Sequence, residues 1–290
     1  MTEEWQAAPL GLTHCELGES PLFSEADSTL YFVDIVGQEL HAYSLMSGKL
    51  HTEQFPRPVC AVVLTEGDQR VTILDDEISW IDRGVTRQLW SGGLDPTLRF
   101  NDVQVDPAGN LLVGTTHREY VPGSAGLYHL AEGQLRPLRE NLGLSNGMGW
   151  SAHGDEFYHI DTLSGEILVA SYDCATATIT REIRRIDLSS EDGVPDGMAV
   201  DSAGCLWVAM FGGGQVLRLS AEGDRLGRVV VDVERPTSVC FGGPGHSELF
   251  ITTATNPGGS STFEGDIHRG SVGVSGRPAN RLCATAKGDQ

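Results

Sequence analysis

The chain has few aromatic residues, 7% of 290, and few basic ones, with 20 lysines and arginines against 40 aspartates and glutamates. A formal charge of −20 argues against nucleic-acid binding through surface charge and against docking on an anionic membrane. No apolar run approaches the ~18–20 residues needed for a membrane-spanning helix. The start, Met1-Thr2-Glu3-Glu4-Trp5, lacks the basic and apolar stretches of a secretory signal. The six cysteines (Cys15, Cys60, Cys174, Cys205, Cys240 and Cys283) form no Cys-x-x-Cys pair. They read as reduced thiols of a cytoplasmic protein rather than a disulfide frame or a zinc site. Helix signals are scarce too. The segment Arg181–Leu188 is the one good candidate, and its alternation fits a strand about as well.

Glycine, by contrast, is abundant at 36 residues and spread throughout, which suggests many short strands joined by tight turns. A polar turn followed by an apolar run returns six times. The runs are Leu30–Asp34, Val71–Asp75, Leu111–Thr115, Phe157–Asp161, Leu206–Met210 and Leu249–Thr253, with steps of 41, 40, 46, 49 and 43 residues between first residues. A second strand follows each: His41–Leu45, Ile78–Asp82, Gly126–Leu130, Ile167–Asp173, Val216–Ser220 and Ser271–Ser275. Six such units predict an all-β, six-bladed β-propeller of four-stranded antiparallel blades, because a small sheet cannot bury both faces until it stacks on neighbours. A sandwich or two β domains is the alternative. The expected domain is one propeller over 1–290, with 1–10 and 283–290 as flexible tails. A segment within Gly11–Leu17 is expected to pair into the last blade.

In a propeller the first strand of each blade lines the channel. Counting five residues back from the turn that ends it gives Glu19, Cys60, Asn101, Asn146, Asp196 and Thr237. Four of these six offer a carboxylate or amide oxygen at one phase. Such groups gathered on an axis are costly unless paired, and a divalent cation is the simplest partner. All-oxygen donors favour calcium, magnesium or manganese, and carboxylates also admit zinc. Too few protein ligands to fill the shell leave room for a substrate, as in catalytic sites. Taken singly the same residues read as turn residues, since Asn146-Gly147 and Asp196-Gly197 are common turn dipeptides.

The segments Gly18-Glu19-Ser20-Pro21, Arg99-Phe100-Asn101-Asp102, Ser145-Asn146-Gly147 and Pro195-Asp196-Gly197-Met198 resemble the signatures of the senescence-marker-protein/gluconolactonase/regucalcin-like family. The resemblance runs from about Cys15 to Arg281. It implies one divalent metal in the channel and hydrolysis of sugar lactones in carbohydrate catabolism. By position it makes Glu19, Asn146 and Asp196 metal ligands and Asp196 also the general acid/base. Arg99, Asn101 and Glu119 become substrate contacts. The implied partner is a small sugar lactone, and the protein a monomer or small homo-oligomer. The stretch Thr255–Gly265 is shorter than the family's usual segment. A regucalcin-like calcium-binding regulator without turnover, a lactonase acting on non-sugar lactones or organophosphates, and a protein-binding scaffold are the other readings.

Among the remaining candidates, His159 reads as a core histidine, His117 as a neighbour of the mouth, and Cys60 as a small channel filler. Asp102 is a candidate to hold Arg99. The run Gly212-Gly213-Gly214 reads as a turn.

Overall fold

The computed structural model describes residues 2–82 and 84–283. Six small sheets surround one axis, each a meander that follows chain order outward. The innermost strands are Gly18–Ser24, Val59–Leu64, Leu98–Val105, Ser145–Trp150, Val194–Val200 and Pro236–Gly242. The runs recognised in the sequence form the next strand of each blade, and the six-bladed propeller is the observed fold. Among the described residues the one helical element is a single 3-10 turn, Pro244–His246. The open segment Arg181–Leu188 falls almost wholly within a strand, Thr178–Asp187.

Strand alternation explains how the blades stack. Residues such as Val33, Val59, Ile73, Phe100 and Val113, fully buried, interlock neighbouring blades in one apolar cluster. Met198, Ile160, Val208 and Leu217 do so on the other side of the ring. Two of the turns that end the inner strands are held by aspartate. Asp106 accepts the Ala108 and Asn110 amides, and Asp201 accepts those of Ala203 and Cys205. Both are Asx turns, in Asp106–Gly109 and Asp201–Gly204.

Ring closure departs in part from expectation. The strand completing the sixth blade is Ala8–Pro9, antiparallel to His268–Ser271, and within Gly11–Leu17 the pairing is limited to an isolated antiparallel bridge from Leu17 to Ala254. Residues 11–13 instead present their amides to the Asp266 carboxylate, which satisfies the backbone while the chain turns inward. Residues 2–10 are therefore no free tail, and Met1 lies outside the described residues. Glu3–Gln6 adds a fifth strand, parallel to Arg225–Val230, so one blade exceeds the expected four. Trp5 packs there on Trp207 at 5.3 Å between ring centroids, and Glu4 pairs with Arg228 at 2.7 Å. The sixth blade's third strand is His268–Ser271, not Ser271–Ser275. Cys283, placed in the other expected tail, donates its amide to Gly109 O; 284–290 lie outside the described residues.

The stretch 275–283 runs across the end of the channel where the inner strands finish. Ser202 N donates to Ser275 O, Gly276 N to His246 O and Leu282 N to Leu64 O. Arg277 reaches the carbonyls of Ser151 and Asp201, both at 3.2 Å, and Asn280 reaches Val105 O at 2.9 Å. The strap thereby touches the second to sixth blades at the mouth opposite Glu19 and Asp196.

Candidate active site

All six inner strands lose register with their neighbours at the same level. The slips fall between Glu19 and Leu22, Val59 and Ala61, Phe100 and Val103, Ser145 and Met148, Pro195 and Met198, and Pro236 and Ser238. A bulge re-aims side chains and tightens local twist. Here it falls on or beside every residue of the ring picked out by phase. The sequence pattern located these positions but gave no sign of the bulges.

The dipeptides Asn146-Gly147 and Asp196-Gly197 are therefore not turns. Both lie inside strands where blades approach closely. A Cβ on Gly147 would sit 2.8 Å from Asp196 O and Met198 N, and one on Gly197 would run into the Ser238 side chain. Glycine after each ring residue lets adjacent backbones meet at the axis.

The ring opens into a pocket of about 240 Å³. Its polar lining is Glu19, Arg99, Asn101, Asn146, Thr162 and Asp196, and its apolar lining is Leu17, Tyr120, Leu144, Leu163, Val194 and Phe211. Five of the six residues expected at the site come together in this pocket. Glu119 does not line it. That side chain is exposed, its backbone N–H donates to His117 Nδ1 at 3.0 Å, and the next residue, Tyr120, faces the pocket instead.

A directed chain of hydrogen bonds crosses the floor. Arg99 Nη1 donates to Asn101 Oδ1 at 2.8 Å, and Asn101 Nδ2 donates to Asn146 Oδ1 at 2.7 Å and to Ser145 O at 3.0 Å. Asn146 Nδ2 donates to Thr162 Oγ1, which donates to Pro195 O, both at 2.7 Å. Thr162 was missed in the sequence; it immediately follows Asp161, whose carboxylate holds the Gly143 and Leu144 amides at the entry to the inner strand. Below, Ser145 Oγ lies 2.8 Å from His159 Nε2, and Arg139 donates to His159 Nδ1. That confirms His159 as a satisfied core residue. Thr237 donates to Gly18 O beside Glu19, and its hydroxyl oxygen lies 2.8 Å from that of Thr252.

The electrostatics of the floor are unbalanced. Burial pushes the Glu19 carboxyl up, and the Asp102 charge pushes it further; the Ser20 amide and Arg99 oppose the shift. Burial likewise raises Asp196 well above the usual carboxylate range, reinforced by Glu19 and Asp102. Asp102, taken out of water, rises to about 6 despite the amide of Val103. Arg99 is the sole cation opposing these shifts on Glu19 and Asp196 among the described residues. Its Nη1 is directed to Asn101 and to Phe100 O, and Asp102 accepts from Val103 instead of holding Arg99. Cys60 is fully buried and its thiol is pushed up to about 11, which suits a channel filler and not a nucleophile.

Such a cluster of buried and half-buried acids fits a divalent cation: hard oxygen donors with a charge excess that a 2+ ion would balance. No three His, Cys, Asp or Glu side chains converge at ligand distance among the described residues. The set here is two carboxylates and an amide, Glu19, Asp196 and Asn146.

A six-bladed propeller with an oxygen-donor ring at one mouth and an open pocket above it defines the class of protein. The chain belongs to the SMP-30/gluconolactonase/LRE-like family, whose model matches residues 17–255. It is 37% identical over 251 residues to regucalcin of Danio rerio, covering 82% of this chain and 83% of that protein. It is 34% identical over 286 residues to the pentonolactonase XacC of Haloferax volcanii, covering 93% and 95%. In three dimensions it superposes on a calcium-binding protein, regucalcin, from Agrobacterium tumefaciens with a TM-score of 0.89, 27% identity, and 96% and 97% coverage.

Proposed function

We propose that the protein hydrolyses a small sugar lactone at this pocket with the help of one divalent metal. The observation that carries the reading is the convergence of Glu19, Asp196 and Asn146 on the floor of an open pocket, with Arg99 beside them. The similarity to a pentonolactonase over most of both chains supports the same chemistry.

Glu19, Asn146 and Asp196 would hold the metal, which when bound supplies Lewis-acid polarisation of the lactone carbonyl. Arg99 offers a planar fork of donors to a hydroxyl beside the carbonyl and to the carboxylate of the product. Asp196 accepts a proton from the water that attacks the carbonyl carbon. As the ring C–O bond breaks, it returns that proton to the departing alkoxide, giving the open hydroxy acid. Such acid–base help is worth roughly 10²–10⁴-fold. The relay from Arg99 to Thr162 fixes which face of each amide meets the pocket.

A pH-drop assay on a panel of aldonolactones tests the proposal, run with chelator and then with calcium, magnesium, manganese or zinc restored. Turnover that disappears with chelator and returns with a metal is expected. Tight metal binding with no turnover of any lactone would instead support an ion-binding regulator.

A further inference from the structure

We propose that the lactone carries an apolar, deoxygenated end remote from its carbonyl. This reading rests on lactone hydrolysis at the same site and names the subclass of substrate.

Polar and apolar groups are segregated in the pocket. The polar side chains form the floor, and three of them, Asn101, Asn146 and Thr162, have their hydrogen bonds directed to one another. Above lies an apolar collar. Tyr120, Leu163 and Val194 are 51%, 43% and 42% exposed, so three of the eight large exposed apolar side chains among the described residues share this one rim. Exposed apolar groups gathered at a concave mouth mark a binding surface more than scattered ones do.

The collar is also held in position. Leu163 packs over Gly143, where a Cβ would lie 2.5 Å from that of Leu163. Phe211 lies under the Arg235 guanidinium at 5.5 Å, and Arg235 is tied to Thr255 O at 3.0 Å. Hydroxyls pressed against Leu163, Val194 and Phe211 would lose water without gaining partners, whereas a methyl or methylene would gain from contact. The floor recognises the oxygens around the carbonyl, and the collar recognises a hydrocarbon end.

The test uses the full chain loaded with metal and a matched pair of substrates, an aldono-1,4-lactone and its counterpart lacking the terminal hydroxyl. The deoxy lactone is expected to show at least about a 10-fold higher kcat/KM, the scale set by one small group in an apolar pocket. Leu163→Ser and Val194→Ser should each move that ratio toward one, chiefly through KM. The two open-chain acids, titrated calorimetrically, should bind in the same order. Equal efficiencies, or preference for the hydroxylated lactone, would overturn the inference and leave lactone hydrolysis standing. Hydrolysis of neither lactone by the metal-loaded protein would overturn the lactonase reading, and equal binding of the two acids would then overturn the collar's role as well. A changed oligomeric state in Leu163→Ser with an unchanged ratio would make the collar a protein contact and also overturn it.

Discussion

Asn101 donates its side-chain amide to Oδ1 of Asn146 across 2.7 Å, and this bond joins the third and fourth blades at the axis. The direction is set from the far end. The one proton of the Thr162 hydroxyl goes to Pro195 O, so Thr162 must accept from Asn146 Nδ2, which turns Oδ1 of Asn146 the other way. Thr162→Val removes that acceptor while keeping the shape. We expect a stability loss of about 1–3 kcal/mol from the stranded amide and a roughly 10–100-fold loss of metal affinity. Thr162→Ser should restore both, as read by thermal unfolding and metal titration.

Opposite signs are expected for the acids with and without metal. Asp196→Asn and Glu19→Gln relieve repulsion among buried carboxylates, so each metal-free variant should unfold at a higher temperature than the metal-free parent. Each should also lose the stabilisation that metal gives the parent, about 2.7 kcal/mol at a metal concentration 100 times Kd. Scanning calorimetry with chelator and with metal separates the two effects. A metal-free Asp196→Asn protein less stable than the parent would contradict the charge excess described for the floor.

Arg99 opposes the raised pKa values of both Glu19 and Asp196 and reaches Asn101 from the pocket wall. Arg99→Ala should raise KM more than it lowers kcat, and Arg99→Lys should recover little because the fork geometry is lost. Steady-state kinetics on one lactone suffice, and an unchanged saturation curve would remove Arg99 from substrate binding.

His159 supplies a pH dependence away from the acids. Burial, then the neighbouring Arg139 charge, pushes its pKa down to about 3. Because the folded value lies below the unfolded one, near 6.5, the folded state keeps His159 neutral while the unfolded state takes up a proton. This contribution to stability is complete above about pH 6.5 and declines toward pH 3, at up to ~1.4 kcal/mol per pH unit. Urea unfolding at pH 7 and pH 5 should show the loss, and His159→Gln should flatten it.

Gly197→Ala tests the close approach of the fifth and sixth blades. The added methyl would meet Ser238, whose Cα lies only 2.7 Å from the Cβ position. Overpacking of this kind typically costs ~1–3 kcal/mol. Asp196 should be displaced with it, so metal affinity should fall together with the melting temperature.

Much of this was legible because each unit repeats a polar turn before an apolar run, and local chemistry dictates both. Glu19, Asn101, Asn146 and Asp196 followed from counting back from those turns. Thr162 escaped because its role depends on facing Pro195 across a blade boundary, which no local pattern records. The strand Glu3–Gln6 escaped for a similar reason: its partner lies more than 220 residues away, and its parallel pairing has no turn to announce it. Glu119 lies one position from a residue of the pocket lining, Tyr120. The loop after His117 bonds back on itself, Tyr120 takes a left-handed φ of 54°, and the aromatic ring rather than the acid lines the pocket.

The pocket that holds Glu19 and Asp196 shares no lining residue with the cavity beneath the strap over residues 275–283, so it has one doorway. Whatever enters past Tyr120 and Leu163 must leave by the same route. The spent acid and the next molecule therefore compete for a single passage, and accumulating product should throttle turnover as a competitive inhibitor.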